Sequence, residues 1–201
     1  MSGDHHHYAS PGPAGLVALA MACFTFGAIH TGMVAGSAAP LLGCWLLGGF
    51  VVQFTVAVIE LRDGHMTGGN VFLFFSAFFM LTTGLELILK TILAKNGMTA
   101  DSHLDGWAWL TLSIALTLWS PAYLTSVKSM TFLVIAILPA CWIITGVDIG
   151  YLPKTWSYYD GVFLFITGCF GLYTGAGMIL NTAFGKTIIP LGKPFIAPQA
   201  H

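Results

Sequence analysis

The sequence predicts an all-α integral membrane protein, a bundle of six transmembrane helices. Two observations carry this. Hydrophobic residues make up 56% of the 201-residue chain and charged residues only 7%, whereas soluble domains carry about 25% charged residues, so much of the surface faces lipid. Six apolar runs also reach the roughly 20 residues that a spanning helix needs, and the loops between them leave no room for a soluble domain. The net charge of −1 and the absence of a basic patch exclude a nucleic-acid partner.

The runs lie at residues 15–35, 40–61, 70–93, 106–125, 130–150 and 159–183. The first opens an uncharged stretch, since no Asp, Glu, Lys or Arg falls between Asp4 and Glu60. It has no basic segment before it and five apolar runs after it, which is not the pattern of a cleaved signal peptide. Pro40 sits in the first turn of the second run, where a missing N–H costs nothing, and Arg62-Asp63-Gly64-His65 ends it. Lys95-Asn96-Gly97 ends the third run. Pro121 interrupts the fourth and Pro139 falls inside the fifth; inside a membrane, neighbours or cavity water re-satisfy the carbonyls such prolines free. The sixth carries Gly168, Gly171, Gly175 and Gly177, and its Gly171-x-x-x-Gly175 spacing lets another helix approach closely.

An even number of spans puts both termini on one side. That side holds Arg62, Lys128, Lys186 and Lys193, so the positive-inside rule favours cytoplasmic termini in a cell membrane. Trp107, Trp109, Trp156, Tyr158 and Tyr159 are expected at the opposite interface, as an aromatic belt. Residues 1–9 read as a flexible tail, 10–192 as the six-helix domain, and 193–201 as a C-terminal tail.

Chemistry-bearing residues are few. Cys23, Cys44, Cys141 and Cys169 lie in apolar runs without metal or disulfide spacing and read as small buried hydrophobes. No hydrolase, metalloprotease or phosphate-loop motif occurs, and no cofactor or metal is expected; the His5-His6-His7 run lies ahead of the bundle. His30 reads as a satisfied buried imidazole, and Glu86 and Lys90 as an i, i+4 ion pair. Glu60 reads as a partner in an interfacial ion pair. Gln53, two turns before Glu60, faces the bundle interior or a cavity, as a structural hydrogen bond or a contact along a path. The Ser10-Pro11-Gly12-Pro13-Ala14-Gly15-Leu16 segment reads as a Pro-rich helix start; alternatively, its free amides form an anion site.

That segment resembles the N-P-x-P-x-G-L signature of the acetate uptake transporter family, the succinate–acetate permeases. Asn181 followed by Phe184-Gly185-Lys186-Thr187-Ile188-Ile189-Pro190-Leu191-Gly192 resembles the closing F-G-[RK]-x-x-[LI]-P-[LI]-G of the same family. Gln53 and Glu60 align with a Gln and a Glu of its second helix. The resemblance implies six-helix protomers assembling as hexameric rings in the lipid bilayer, each with its own path for acetate and similar small carboxylates, succinate among them. It implies that backbone amides around Ala14–Leu16 receive the carboxylate and that Ser10, Pro11, Pro13 and Gly15 shape the entrance. Leu19 and Phe75 fall at the family's hydrophobic constriction, with a third member within residues 134–138. Gln53 offers a hydrogen bond along the path, and Asn181 ties the sixth helix to the first-helix entrance. The departures are Ser10 for Asn, Leu19 for an aromatic and Phe75 for Tyr, which make the constriction more apolar. The residues leave open whether a proton moves with the substrate, and whether the conduit passes neutral solutes such as ammonia or undissociated acid. A non-transporting structural membrane protein is the third alternative.

Overall fold

The computed structural model describes residues 9–197; the tail residues 1–8, with His5, His6 and His7, lie outside the described residues. The helices are α1 (Gly12–His30), α2 (Ala39–Arg62), α3 (Met66–Phe74), α4 (Thr83–Lys95), α5 (His103–Trp119), α6 (Lys128–Ile149) and α7 (Ser157–Phe184). A π-helical segment, Phe75–Thr82, joins α3 to α4 as one rod. The described residues thus form an all-helical, multi-pass membrane fold of six rods.

Among the described residues, five rods are long and apolar enough to cross a membrane: Gly12–His30, Gly36–Arg62, Met66–Lys95, Lys128–Ile149 and Lys154–Phe184. The fourth in chain order is shorter than its apolar run suggests. α5 has 17 residues, roughly 25 Å of rise against a hydrocarbon core of about 30 Å. The remainder is a 3₁₀ turn, Ser120–Thr125, because Pro121 lacks the amide that would continue the α-helical pattern. Gly32 and Gly185, at φ +77° and +62°, end α1 and α7 in a backbone region that L side chains disfavour.

α1 runs through the interior and packs on α7 and α2. On the α7 side, the position of a Cβ at Gly171 lies 3.2 Å from the Leu16 carbonyl, and at Gly175 3.4 Å from the Pro13 carbonyl. Bare backbone thus meets bare backbone along the predicted small-residue face. Gly43 and Gly84 do the same reciprocally between α2 and α4. Buried hydroxyls tie α5 to α6: Ser113 donates to the Cys141 carbonyl at 3.0 Å and lies 2.9 Å from Thr145 Oγ1.

The described residues after α7 form a strap. Asn181 Oδ1 accepts from the Ile188 and Ile189 amides at 2.6 and 2.9 Å, and its Nδ2 donates to the Ile189 carbonyl at 2.8 Å. The strap's Leu191 and Gly192 carbonyls in turn accept from Ser129 and Lys128, capping the first turn of α6. Phe195 and Ile196, expected in a tail, pack too: Phe195 meets Phe132 and the Lys128 ammonium, and the Ile196 amide donates to the Leu124 carbonyl.

Trp107, Trp156, Tyr158 and Tyr159 are exposed, as a belt requires. Trp109 is turned inward instead, edge-on to Phe79. Large apolar side chains on α2, among them Leu41, Trp45, Val51 and Phe54, face outward.

Candidate functional site

Two cavities lie end to end inside the bundle. The larger, about 550 Å³, opens beside the start of α1 and the C-terminal strap, and its size is that of a small-molecule site. Its walls include Gly12, Leu16 and Leu19 from α1, Gln53 and Glu60 from α2, Phe72 from α3, Thr174 and Met178 from α7, and Leu191 and Pro194 from the strap. The smaller, about 210 Å³, lies toward the opposite loops and is walled by Cys23, His30, Phe79, Trp109, Cys141 and Asp160 among others. Phe75 and Ile137 line both. The two side chains, each 5% exposed, therefore separate the cavities, and Leu19, 7% exposed, adjoins them on the larger side. Val134 also lines the larger cavity, but among residues 134–138 only Ile137 faces both.

Phe75 opens the π-helical segment. A π-turn widens the helix and breaks the i→i−4 ladder, and such turns occur frequently at functional sites. Here the Thr82 and Thr83 hydroxyls reach carbonyls five residues back, at Ala77 and Phe78. Phe75 is held among Phe74, at 4.6 Å between centroids, and Phe79, at 5.9 Å, so its ring has neighbours on both sides.

The entrance motif is arranged differently from the sequence expectation. The Ala14 and Gly15 amides already donate to the Pro11 carbonyl at 3.0 and 3.4 Å, and the Gly12 amide donates to Ser10 Oγ at 3.4 Å. The donors assigned to a carboxylate around Ala14 are thus engaged, because the helix closes its first turn onto Pro11. Ala14 is exposed; Pro13 faces Gly175, and Gly15 accommodates the Phe72 ring and Val56. Of the motif, Gly12 and Leu16 line the cavity, whereas Ser10, Pro11, Pro13, Ala14 and Gly15 lie outside its lining. Ser10 donates to Glu60 Oε1 at 3.4 Å, and Glu60 Oε2 lies 3.0 Å from His65 Nδ1, a polar cluster beside the mouth. Asn181 holds the strap through Ile188 and Ile189, so its tie to the α1 entrance is indirect, through the strap residues in the cavity wall.

At the other end, His30 on α1 is paired with Asp160 on α7, which satisfies the imidazole as expected while leaving it in the cavity wall. Lys90 bridges Glu86, at 2.7 Å, and Asp105, so the predicted pair is a triad. Asp148 also lines this cavity. The smaller cavity is therefore rich in carboxyl groups, and the larger is mostly apolar.

Sequence reasoning missed Thr174 and the partner carboxyls Asp105 and Asp160 of the smaller cavity, and placed Ile137 only within the window 134–138. Thr174 had a signal, lying within the Gly171–Gly175 face. The His30–Asp160 pair, 130 residues apart, had none. Among the described residues, no group of three or more His, Cys, Asp or Glu could hold a metal ion.

No protein-family model matches the chain. The chain is 23% identical over 187 residues to the succinate-acetate/proton symporter SatP of Escherichia coli (strain K12), covering 92% of this chain and 96% of that protein. The proteins of the same name from Escherichia coli O157:H7 and Shigella flexneri match to the same extent. Among solved structures, that of the bacterial acetate channel SatP superimposes with a TM-score of 0.79 at 19% identity, covering 92% of this chain and 99% of that one. The resemblance carried by the two end motifs thus extends over nearly the whole chain, with divergent sequence.

Proposed function

We propose that this protein is a membrane transporter or channel for acetate and similar small carboxylates. The substrate passes from the larger cavity, through a constriction of Leu19, Phe75 and Ile137, into the smaller one. The observation that carries this reading is the pair of cavities divided by the shared residues Phe75 and Ile137. The names borne by the homologues, symporter and acetate channel, support it. No catalytic step is involved. The chain sits in the cell membrane with both termini cytoplasmic, and the outward apolar face of α2 meets lipid and neighbouring copies in a hexamer.

Reconstituted protein is expected to take up labelled acetate, and Phe75→Ala to raise that uptake and admit bulkier acids. No acetate flux above empty liposomes, under both a pH gradient and a membrane potential, would sink the assignment.

A second reading, passage of the undissociated acid or another neutral solute, is favoured by the apolar constriction. Moving a carboxylate into a medium of low dielectric costs about 20 kcal/mol by the idealised Born estimate, against roughly 2–7 kcal/mol for a neutral polar group. A proton then travels with the substrate. Stopped-flow pH measurements with acetate and with ammonium separate the solutes: an acid pathway saturates and shows competition among short acids.

A further inference from the structure

Most hydroxyls in these helices are satisfied by their own backbone. Thr25, Thr55, Thr91, Thr117, Thr145 and Thr167 each donate to the carbonyl one turn earlier, the usual habit of helical Thr. Thr174 does not. Its Oγ1 is buried without a partner, and the residue is 0% exposed.

Gln53 has the complementary gap. Its Nε2 donates to the Gly15 carbonyl at 3.5 Å. The amide is assigned with Nε2 toward that carbonyl, since the opposite orientation would set an oxygen against another acceptor. Oε1 is then a buried acceptor without a partner, in a residue 1% exposed. Unpartnered buried polar atoms are destabilising, so each calls for an explanation.

Both residues line the larger cavity, at one level of α1. Gln53 reaches Gly15 from α2, while Gly171 and Gly175, on either side of Thr174, abut the Leu16 carbonyl at 3.2 Å and Leu16 Cβ at 3.6 Å from α7. The titratable groups of this cavity are Glu60 from α2, His65 from the turn after it, and Tyr123 from the 3₁₀ turn; no Lys or Arg is among its described lining. Glu60 and His65 already face one another at 3.0 Å.

One acceptor and one donor, in a largely apolar wall without a fixed cation, complement an undissociated carboxylic acid. Its O–H can donate to Gln53 Oε1, and its carbonyl can accept from Thr174 Oγ1. A carboxylate has only acceptors and nothing to offer Gln53 Oε1. We propose that Gln53 and Thr174 form the binding site for the neutral acid in the larger cavity, with its alkyl end against Leu16 and Leu19. This rests on the reading of the cavity as a path for small acids.

A primary amide presents the same donor and acceptor without a charge, so acetamide is the probe. Labelled acetamide uptake, and its competition with labelled acetate, are measured in proteoliposomes carrying wild-type protein, Thr174→Val or Gln53→Leu. Acetamide is expected to enter above empty liposomes and to inhibit acetate uptake. In each variant its half-inhibiting concentration should rise about tenfold, the size of one lost hydrogen bond. Acetamide that neither enters nor competes, while acetate flux is present, overturns the proposal, and wild-type protein alone decides this if a variant fails to fold. Unchanged inhibition in both variants overturns it as well. If acetate flux is itself missing, the transport assignment falls, and acetamide uptake with its dependence on Thr174 still decides the site.

Discussion

Replacing Asn181 with Ala removes one side chain that makes three hydrogen bonds to the strap: from the Ile188 amide at 2.6 Å, from the Ile189 amide at 2.9 Å and to the Ile189 carbonyl at 2.8 Å. At a net value of about 0.5–1.5 kcal/mol each, the gross loss is about 1.5–4.5 kcal/mol. Ile188 is exposed and Ile189 half-buried, so water replaces part of it, and about 2 kcal/mol is the expected cost. For a chain of this size that lowers the melting temperature by roughly 4–8 °C. The effect should also travel. With the strap loosened, the Leu191 carbonyl no longer holds the Ser129 amide at 3.0 Å, so that amide should exchange faster with solvent. Asn181→Asp keeps both acceptor contacts but turns an oxygen toward the Ile189 carbonyl, and should fall between wild type and Ala. Thermal unfolding in detergent and hydrogen exchange read both effects. An Asn181→Ala protein with unchanged melting temperature and unchanged protection at Ser129 would refute the strap's dependence on this side chain.

Two glycines of α2 should respond oppositely to alanine. A Cβ at Gly43 would lie 2.6 Å from the Gly84 carbonyl oxygen, so Gly43→Ala should destabilise by about 1–3 kcal/mol, whereas Gly48 has nothing within 4 Å and Gly48→Ala should gain about 0.5–1 kcal/mol; melting temperatures compare them. Asp160→Ala leaves His30 without its hydrogen-bonding partner in a residue pair that is largely buried and should cost about 1–3 kcal/mol, with Asp160→Asn less harmful because it retains a hydrogen-bonding side chain; thermal unfolding orders the three proteins. In the exposed loop before α5, the His103 ring and amide beside Asp101 hold its carboxyl below the ordinary carboxylate range. A depressed folded pKa stabilises above the unfolded value and loses that contribution as pH falls through the folded one, so an NMR titration of Asp101 should move up in His103→Ala.

The rods were legible because each needed only a local signal, an apolar run ended by glycine, proline or charge. Pro121 showed where α5 would falter, and Gly171 and Gly175 showed the face on which α1 and α7 meet. The π-helical segment was not legible: nothing in Phe75-Ser76-Ala77-Phe78-Phe79-Met80 separates a ladder of five from one of four, because the choice depends on how neighbouring helices crowd those rings. The amides near Ala14 were misjudged for a related reason. Sequence shows which N–H groups a helix start can leave free, but not that Pro11 turns its carbonyl back to engage them. Leu19, Gln53 and Phe75, which the resemblance aligns with a path, lie in the cavity wall. Thr174 lies within the glycine face of α7, but no sequence pattern shows that its hydroxyl is left without a partner.

The pair between His30 and Asp160 sets a timetable for biogenesis. The two residues are 130 positions apart, so at synthesis rates of about 5–20 residues per second the imidazole waits roughly 7–26 seconds for its carboxylate. Through that interval α1 is a nascent helix with an unanswered polar group, and its glycine-bearing partner α7 has not yet been made. α1 must therefore be sheltered until α7 arrives, and this part of the bundle closes late, around a helix made well before its partner.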